Sequence, residues 1–228
     1  MLMIETRGLC KSFGEHVVLD NIDLDVAEGT IFEGVIAHQG NFKGSALRDS
    51  TFTGADLTGS SFRGSDVREA NFDGANLTDC DLSALDLVDA NFRESILVRT
   101  NFSTSGLVGA KFIGVKLTDV NLTRTDLRKT TFESCTFNGV DFNQCDLRGM
   151  VLDGHTFIGV KFDEAALNEA SFQGATLKNV SFRSAYTWSK KYYRVMESIT
   201  FDGAMMDKLT YAALKGMEAD VSKVTVLS

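Results

Sequence analysis

Residues 45–79 read SALRD-STFTG-ADLTG-SSFRG-SDVRE-ANFDG-ANLTD. An apolar residue falls at the centre of each group, from Leu47 through Phe52, Leu57, Phe62, Val67 and Phe72 to Leu77. A small residue stands two places before each centre, as at Ser45, Ala55, Ser60 and Ala70. Followed outward in both directions, the beat runs from Thr30 to Ser184 without a slip, 31 units in all, and only Ala37 puts a small residue at a centre. A period of five suits neither a helix nor a flat strand, so the chain has to turn a corner at regular intervals. Self-similarity at a fixed short period marks a solenoid.

Units such as ADLTG (Ala55 to Gly59), ANFDG (Ala70 to Gly74) and ANLTD (Ala75 to Asp79) resemble the pentapeptide-repeat family. The resemblance covers about two thirds of the chain. It implies an all-β fold: a right-handed, four-sided parallel β-helix with one unit per side, 20 residues per coil and about 8 coils. Sorting the centres by twenties supports four sides independently. The column from Phe32 to Phe172 holds seven Phe and Leu152; the column from Phe42 to Phe182 holds six Phe, with Leu82 and Leu122. The column from Leu47 to Leu167 holds six Leu and Val67, and the fourth is mostly Leu, with Phe137 and Phe157. Opposite sides thus carry like residues, and coils about 4.8 Å apart make a rod about 37 Å long. The rod interior takes 15 of the 17 Phe, and the chain has no Pro, whose missing N–H would break the ladder between coils. Gly at the last place of many units, such as Gly54, Gly64 and Gly74, suits a turn with positive φ.

The organisation predicted is a β-hairpin cap over residues 1–29, the β-helix over 30–184 and a cap of short helices with a final partial coil over 185–228. The segment from Ile4 to Phe32 resembles the first strands of an ABC-transporter ATPase domain, with Phe13 matching an aromatic that stacks on adenine in that family. The phosphate-binding GxxxxGK[ST] loop that should follow is absent. The stub therefore reads as a cap covering a sheet edge, with vestigial nucleotide binding at Phe13 as the alternative reading, and no cofactor is expected.

A net charge of −8 argues against a general nucleic-acid binder, and no apolar run is long enough for a membrane span. Met1 leads into a polar, charged segment, which predicts a cytoplasmic protein. Cys80, Cys135 and Cys145 all take the small inward position and form no CxxC pair, so they read as core filler; Cys10 stands outside the repeat. His155, Met150 and Leu85 are oversized at that position. No nucleophile–base grouping, paired-carboxylate cleft or HExxH motif is visible, and a filled rod offers no substrate cavity, so no catalytic residue and no metal site is expected.

Function then falls to the outside. Val88, Ile96, Val98, Val108 and Ile113 form a candidate partner surface. Asp66, Glu69, Asp86 and Asp89 form a candidate acidic patch on the Leu-rich side, which also carries Arg48, Arg68, Arg128 and Arg148. Beyond Phe182 the beat breaks, and Trp188, Tyr192, Met206, Leu209 and Leu214 are candidate cap or dimer contacts. A helix is expected over Asp207–Gly216 with Leu209, Ala213 and Leu214 on one face. The leading expectation is a non-enzymatic scaffold that binds another protein, as monomer or homodimer. The family resemblance implies a specific alternative: an acidic DNA mimic that binds DNA gyrase or another topoisomerase and protects against quinolones.

Overall fold

Each five-residue unit has five backbone N–H groups to satisfy, and the repeat finds a place for all of them. In the unit centred on Phe72, Ala70 N–H closes the preceding turn onto Val67 O at 3.2 Å, and Asn71 N–H donates back one coil to Ser50 O at 2.9 Å. Phe72 N–H and Gly74 N–H donate forward one coil, to Asn91 O and Arg93 O, both at 2.8 Å. The fifth, Asp73 N–H, points outward and donates to the Asn71 side chain at 3.0 Å. The same local bond forms in every repeat unit that has Asn or Asp before its centre. This turn chemistry is why Asn and Asp crowd that position.

The computed structural model describes residues 4–6, 11–13, 16–18, 24–26, 28–184 and 190–228. Four short strands come first: β1 (Ile4–Thr6), β2 (Lys11–Phe13), β3 (His16–Val18) and β4 (Leu24–Val26). β1 pairs with β4 and β2 with β3, both antiparallel, so two hairpin pairs are nested. From residue 30 onward the chain winds as a four-sided parallel solenoid, in which Ile31 bridges Thr51, Thr51 bridges Asn71, and Asn71 bridges Asn91, 20 residues on each time as far as Ser181. Most sides make single bridges. Longer strands form at β5 (Ile96–Val98), β6 (Lys111–Ile113), β7 (Lys116–Thr118), β8 (Thr131–Glu133), β9 (Thr136–Asn138), β10 (Thr156–Ile158) and β11 (Thr176–Lys178). They are followed by α1 (Lys190–Glu197), β12 (Met205–Met206), α2 (Lys208–Gly216) and β13 (Thr225–Val226). One face collects seven parallel strands in the order β13-β12-β11-β10-β9-β7-β5.

All 31 centres from Phe32 to Phe182 are buried. Rings stack within a column and meet edge-on across the rod. Phe52 lies between Phe32 at 4.8 Å and Phe72 at 5.0 Å, nearly parallel to both, and is perpendicular to Phe42 at 5.8 Å. Both are favoured ring geometries. The small inward position also does polar work. In most units its hydroxyl or thiol donates to the carbonyl of a centre 23 residues earlier, as Ser60 to Ala37 at 2.7 Å, Thr100 to Leu77 at 2.8 Å and Cys145 to Leu122 at 2.7 Å. From Gly34 to Asn179 the last position of each unit is left-handed, in Gly74 (φ 65°) and equally in Asp79 (φ 58°) and Lys129 (φ 61°). Glycine is thus preferred at the corner and not required there.

At the carboxy-terminal end the coil is interrupted and resumed. Phe201 stacks on Phe172 at 5.5 Å, Met206 continues the next column, and β13 pairs in parallel with β12. α2 takes the place of two of the three sides between them, and the Val221 side is kept. Its buried face carries Thr210 and Leu214, whereas Leu209 is 77% exposed and Ala213 is exposed, which corrects the face expected from sequence. Asp207 sets the rotation: its carboxylate caps Leu209 N–H and Thr210 N–H, both at 2.8 Å, and Thr210 Oγ1 accepts from Val180 N–H at 3.1 Å.

Candidate interaction surfaces

The residues flanking each centre form the outside, and the 20-residue register decides which of them are neighbours. Val88 and Val108 stack on the Leu-rich face, because Asp86 bridges Gly106. Ile96 and Val98 lie in β5 on the opposite face, which bears the seven-stranded sheet, and Ile113 lies in β6 on a Phe face. The five residues expected to form one apolar surface are therefore spread over three faces. Only Val88 with Val108, and Ile96 with Val98, are brought together. The cause is a corner every five residues, which sends neighbours in sequence to different sides.

The four acidic residues do share the Leu-rich face, and their charge is partly answered there. Arg68 forks onto Asp66, with Nε at 2.8 Å, and Arg48 Nη2 reaches Glu69 at 2.5 Å. Arg128 and Arg148 fork likewise onto Asp126 and Asp146. The Arg68 hydrogen bond holds the Asp66 carboxyl below the usual carboxylate range, and Arg128 and Arg148 do the same for Asp126 and Asp146. Asp86 and Asp89 form no ion pair among the described residues, and Val88 and Val108 interrupt the arginine ladder. An Asp–Arg pair also joins the corner at Asp79 and Arg99, whose Nε donates at 2.6 Å.

Inside, His155 occupies the place where other units put Ser, Thr or Cys and makes the same bond. Its Nε2 donates to Phe132 O at 3.1 Å, 23 residues back, and its ring meets Phe137 edge-on at 5.6 Å. Burial pushes its pKa below that of free imidazole, so it is a neutral packed residue. Oversized Met150 is followed by Leu152, the one Leu in its Phe column, so volume gained at one site is given up at the next. Cys80 and Cys145 are pushed up to about 12 by burial. Among the described residues no group of three His, Cys, Asp or Glu is placed to hold a metal ion.

At the carboxy-terminal end, Met206 and Leu214 are core, and Tyr192 is half-buried with its hydroxyl donating to Phe182 O at 2.7 Å. Leu209 stands in solvent, and Trp188 lies outside the described residues. A groove of about 320 Å³ runs between α1 and the last coil, lined by Phe162, Leu167, Phe182, Tyr192 and Val195. Two features carried no signal in the five-residue beat: the Asp207 cap and the Asp202–Lys223 ion pair at 2.6 Å, which ties the final partial coil to the one before it. The capping residue was readable in principle, since Asp207 directly precedes the helical stretch.

A filled four-sided parallel solenoid with all its variable chemistry on the outside defines a repeat scaffold. The family model for a pentapeptide repeat region matches residues 85–162, and that for pentapeptide repeats (8 copies) matches residues 45–83 and 157–186. The chain belongs to the pentapeptide-repeat family. HetL, a pentapeptide-repeat protein involved in heterocyst differentiation regulation from the cyanobacterium Nostoc sp. strain PCC 7120, is similar in structure. It is 24% identical over 75% of each chain, with a TM-score of 0.64, and establishes the right-handed β-helix fold. QnrB1, a plasmid-mediated fluoroquinolone resistance protein, aligns over 88% of this chain and 96% of its own at 14% identity and a TM-score of 0.48. No curated protein matches the chain significantly. The ABC-like segment lies outside the residues that the family models match.

Proposed function

We propose that the protein is a non-enzymatic scaffold that binds a protein partner through its outer faces and carboxy-terminal end. The observation that carries this reading is where the chemistry lies. Side chains fill the rod, its one inward His is a neutral packed residue, and the variable residues all stand in flat outward ladders. Extended ladders on a rigid rod suit recognition of another folded surface. A photo-crosslinking amino acid placed at Val88, Val98 and Leu209 in turn tests it in cells. One position giving a discrete adduct supports the reading and names the face; silence from all three overturns it.

The second reading is the topoisomerase-binding DNA mimic. The acidic excess of residues 30–100, with 11 acids against 6 bases, favours it. The Asp66–Arg68 and Arg48–Glu69 pairs weaken it, because they break the negative stripe on the face where it would run. Titrating the protein into a gyrase supercoiling reaction, with and without ciprofloxacin, separates the two. The scaffold reading expects no effect at tens of micromolar. Inhibition or rescue at low micromolar, lost in Asp86→Asn with Asp89→Asn, replaces it with the mimic.

A further inference from the structure

The Leu-rich face repeats one three-residue pattern toward both ends and another at its middle. Asp66-Val67-Arg68, Asp126-Leu127-Arg128 and Asp146-Leu147-Arg148 each set a carboxylate and a guanidinium either side of a buried centre. Between them come Asp86-Leu87-Val88 and Gly106-Leu107-Val108. In all three Asp–Arg strands the guanidinium makes the same fork, with Nε and Nη2 both on the strand's own carboxylate. The Nε distances are 2.8 Å for Arg68, 3.0 Å for Arg128 and 2.8 Å for Arg148. Nη1 makes no hydrogen bond among the described residues, and each carboxylate keeps spare acceptor capacity.

A two-fold axis parallel to the rod exchanges the columns on the two sides of the centre. At the heights of Asp66, Asp126 and Asp146, the Asp of one copy then faces the Arg of the other, and the reverse, as an isologous interface requires, while Asp86 faces Val88. The same operation sets Gly106 opposite Val108 of the second copy. Gly106 has room, since a Cβ there would meet nothing closer than Asp86 Oδ1 at 3.9 Å. An antiparallel arrangement instead puts Asp opposite Asp and Arg opposite Arg, so the charges select an orientation as well as a face. On the face opposite, the flanking pairs are of the kind Ile96 with Val98 and Lys116 with Thr118, which have no such complementarity.

We propose that the Leu-rich face is a self-association surface, on which two copies dock side by side and parallel, each Asp-x-Arg strand closing a ring of four charged groups with its equivalent. The forks hold the charges in place beforehand, which lowers the ordering cost of docking. The strip is about 24 Å long and roughly three residues wide, and buries on the order of 600 Å² in total, less than a standard interface. The dimer is accordingly weak and sensitive to salt.

Sedimentation velocity on the full chain, from about 10 to about 500 µM and at low and high salt, tests the surface. The expected result is a reversible monomer–dimer equilibrium at low salt that moves to monomer at high salt. A charge-exchanged variant (Asp66→Arg, Arg68→Asp, Asp126→Arg, Arg128→Asp, Asp146→Arg, Arg148→Asp) keeps every strand neutral and self-complementary. Lys116 and Lys161 already stand at the equivalent flank on other faces, so a cation fits there. This variant should dimerise with itself, and its parallel pairs with labelled wild-type chain set like charges face to face. If the full exchange does not fold by circular dichroism, Asp126→Arg with Arg128→Asp alone should weaken mixed pairing relative to self-pairing by at least about threefold. A chain that stays monomeric at the highest concentration in low salt overturns the proposal. So does an Asp126→Arg with Arg128→Asp variant that mixes freely with wild type, or a dimer that ignores the exchange and is broken by Leu209→Asp.

Discussion

At the scale of single residues, the small inward position is the most informative place in the repeat. Most polar atoms that stand there are used on a carbonyl one coil back, whether the hydroxyl of Ser60, the thiol of Cys145 or the imidazole of His155, whereas Ser95 donates to Phe92 O within its own coil. Their reactivity follows from that seclusion. With Cys80 and Cys145 pushed up to about 12, the thiolate fraction at pH 8 is about one in ten thousand. Iodoacetamide at that pH should leave both unmodified in the native protein and label them in denaturant, as peptide mass spectrometry will show; native labelling within minutes would refute the assignment. Asp207 is the other residue with a measurable role. Asp207→Ala should lower stability in urea titrations by about 1–2 kcal/mol, by removing the cap of α2. Partial burial raises the Asp207 pKa, but hydrogen bonds from Thr210, Asn179 and Leu209 outweigh it and leave the value below the usual range. A depressed carboxyl contributes stability above the unfolded value of about 3.9 and loses it as pH falls through the folded value. The difference between wild type and Asp207→Ala should therefore shrink as pH drops below about 4.

At the scale of elements, the Phe columns set the cost of core substitutions by position. Phe52 is stacked from both sides, whereas Phe102 has Leu82 and Leu122 above and below and meets only Phe92 and Phe112, edge-on. Phe52→Leu should thus destabilise more than Phe102→Leu, by about 1–2 kcal/mol for the two lost stacks, in paired urea melts. Equal losses would mean that stacking adds nothing beyond burial. The columns were legible in the sequence because a strict beat sorts by twenties with no structural input. The apolar outer patch was misjudged for want of the same sort: Ile96 and Val108 are twelve residues apart but on opposite faces. The four acids on the Leu-rich face were placed correctly because they were read by column. The buried face of α2 was not legible, since its nine residues show Leu209 and Leu214 with equal claim to the core. The choice falls to Thr210 because its hydroxyl meets Val180 N–H, a contact 30 residues back with no trace in local periodicity.

At the scale of the whole molecule, every bond that joins the rod runs between one coil and the next. Opening is then expected to begin at the ends, and hydrogen exchange should be slowest at Leu97 and Leu117 and fastest at Val226, the last strand of its sheet. Uniform protection along the rod would point instead to a single all-or-none unit. The pairing of each coil only with its neighbours has a mechanical side as well. Held by its two termini and pulled, the rod offers no shear between distant strands, so tension peels one coil at a time from whichever end yields first. Each coil freed lets out 20 residues, about 68 Å of extended chain, against about 5 Å of rod consumed. An optical trap should record a staircase of steps near 60 Å at nearly constant force, a spool paying out thread where a globular domain would snap once.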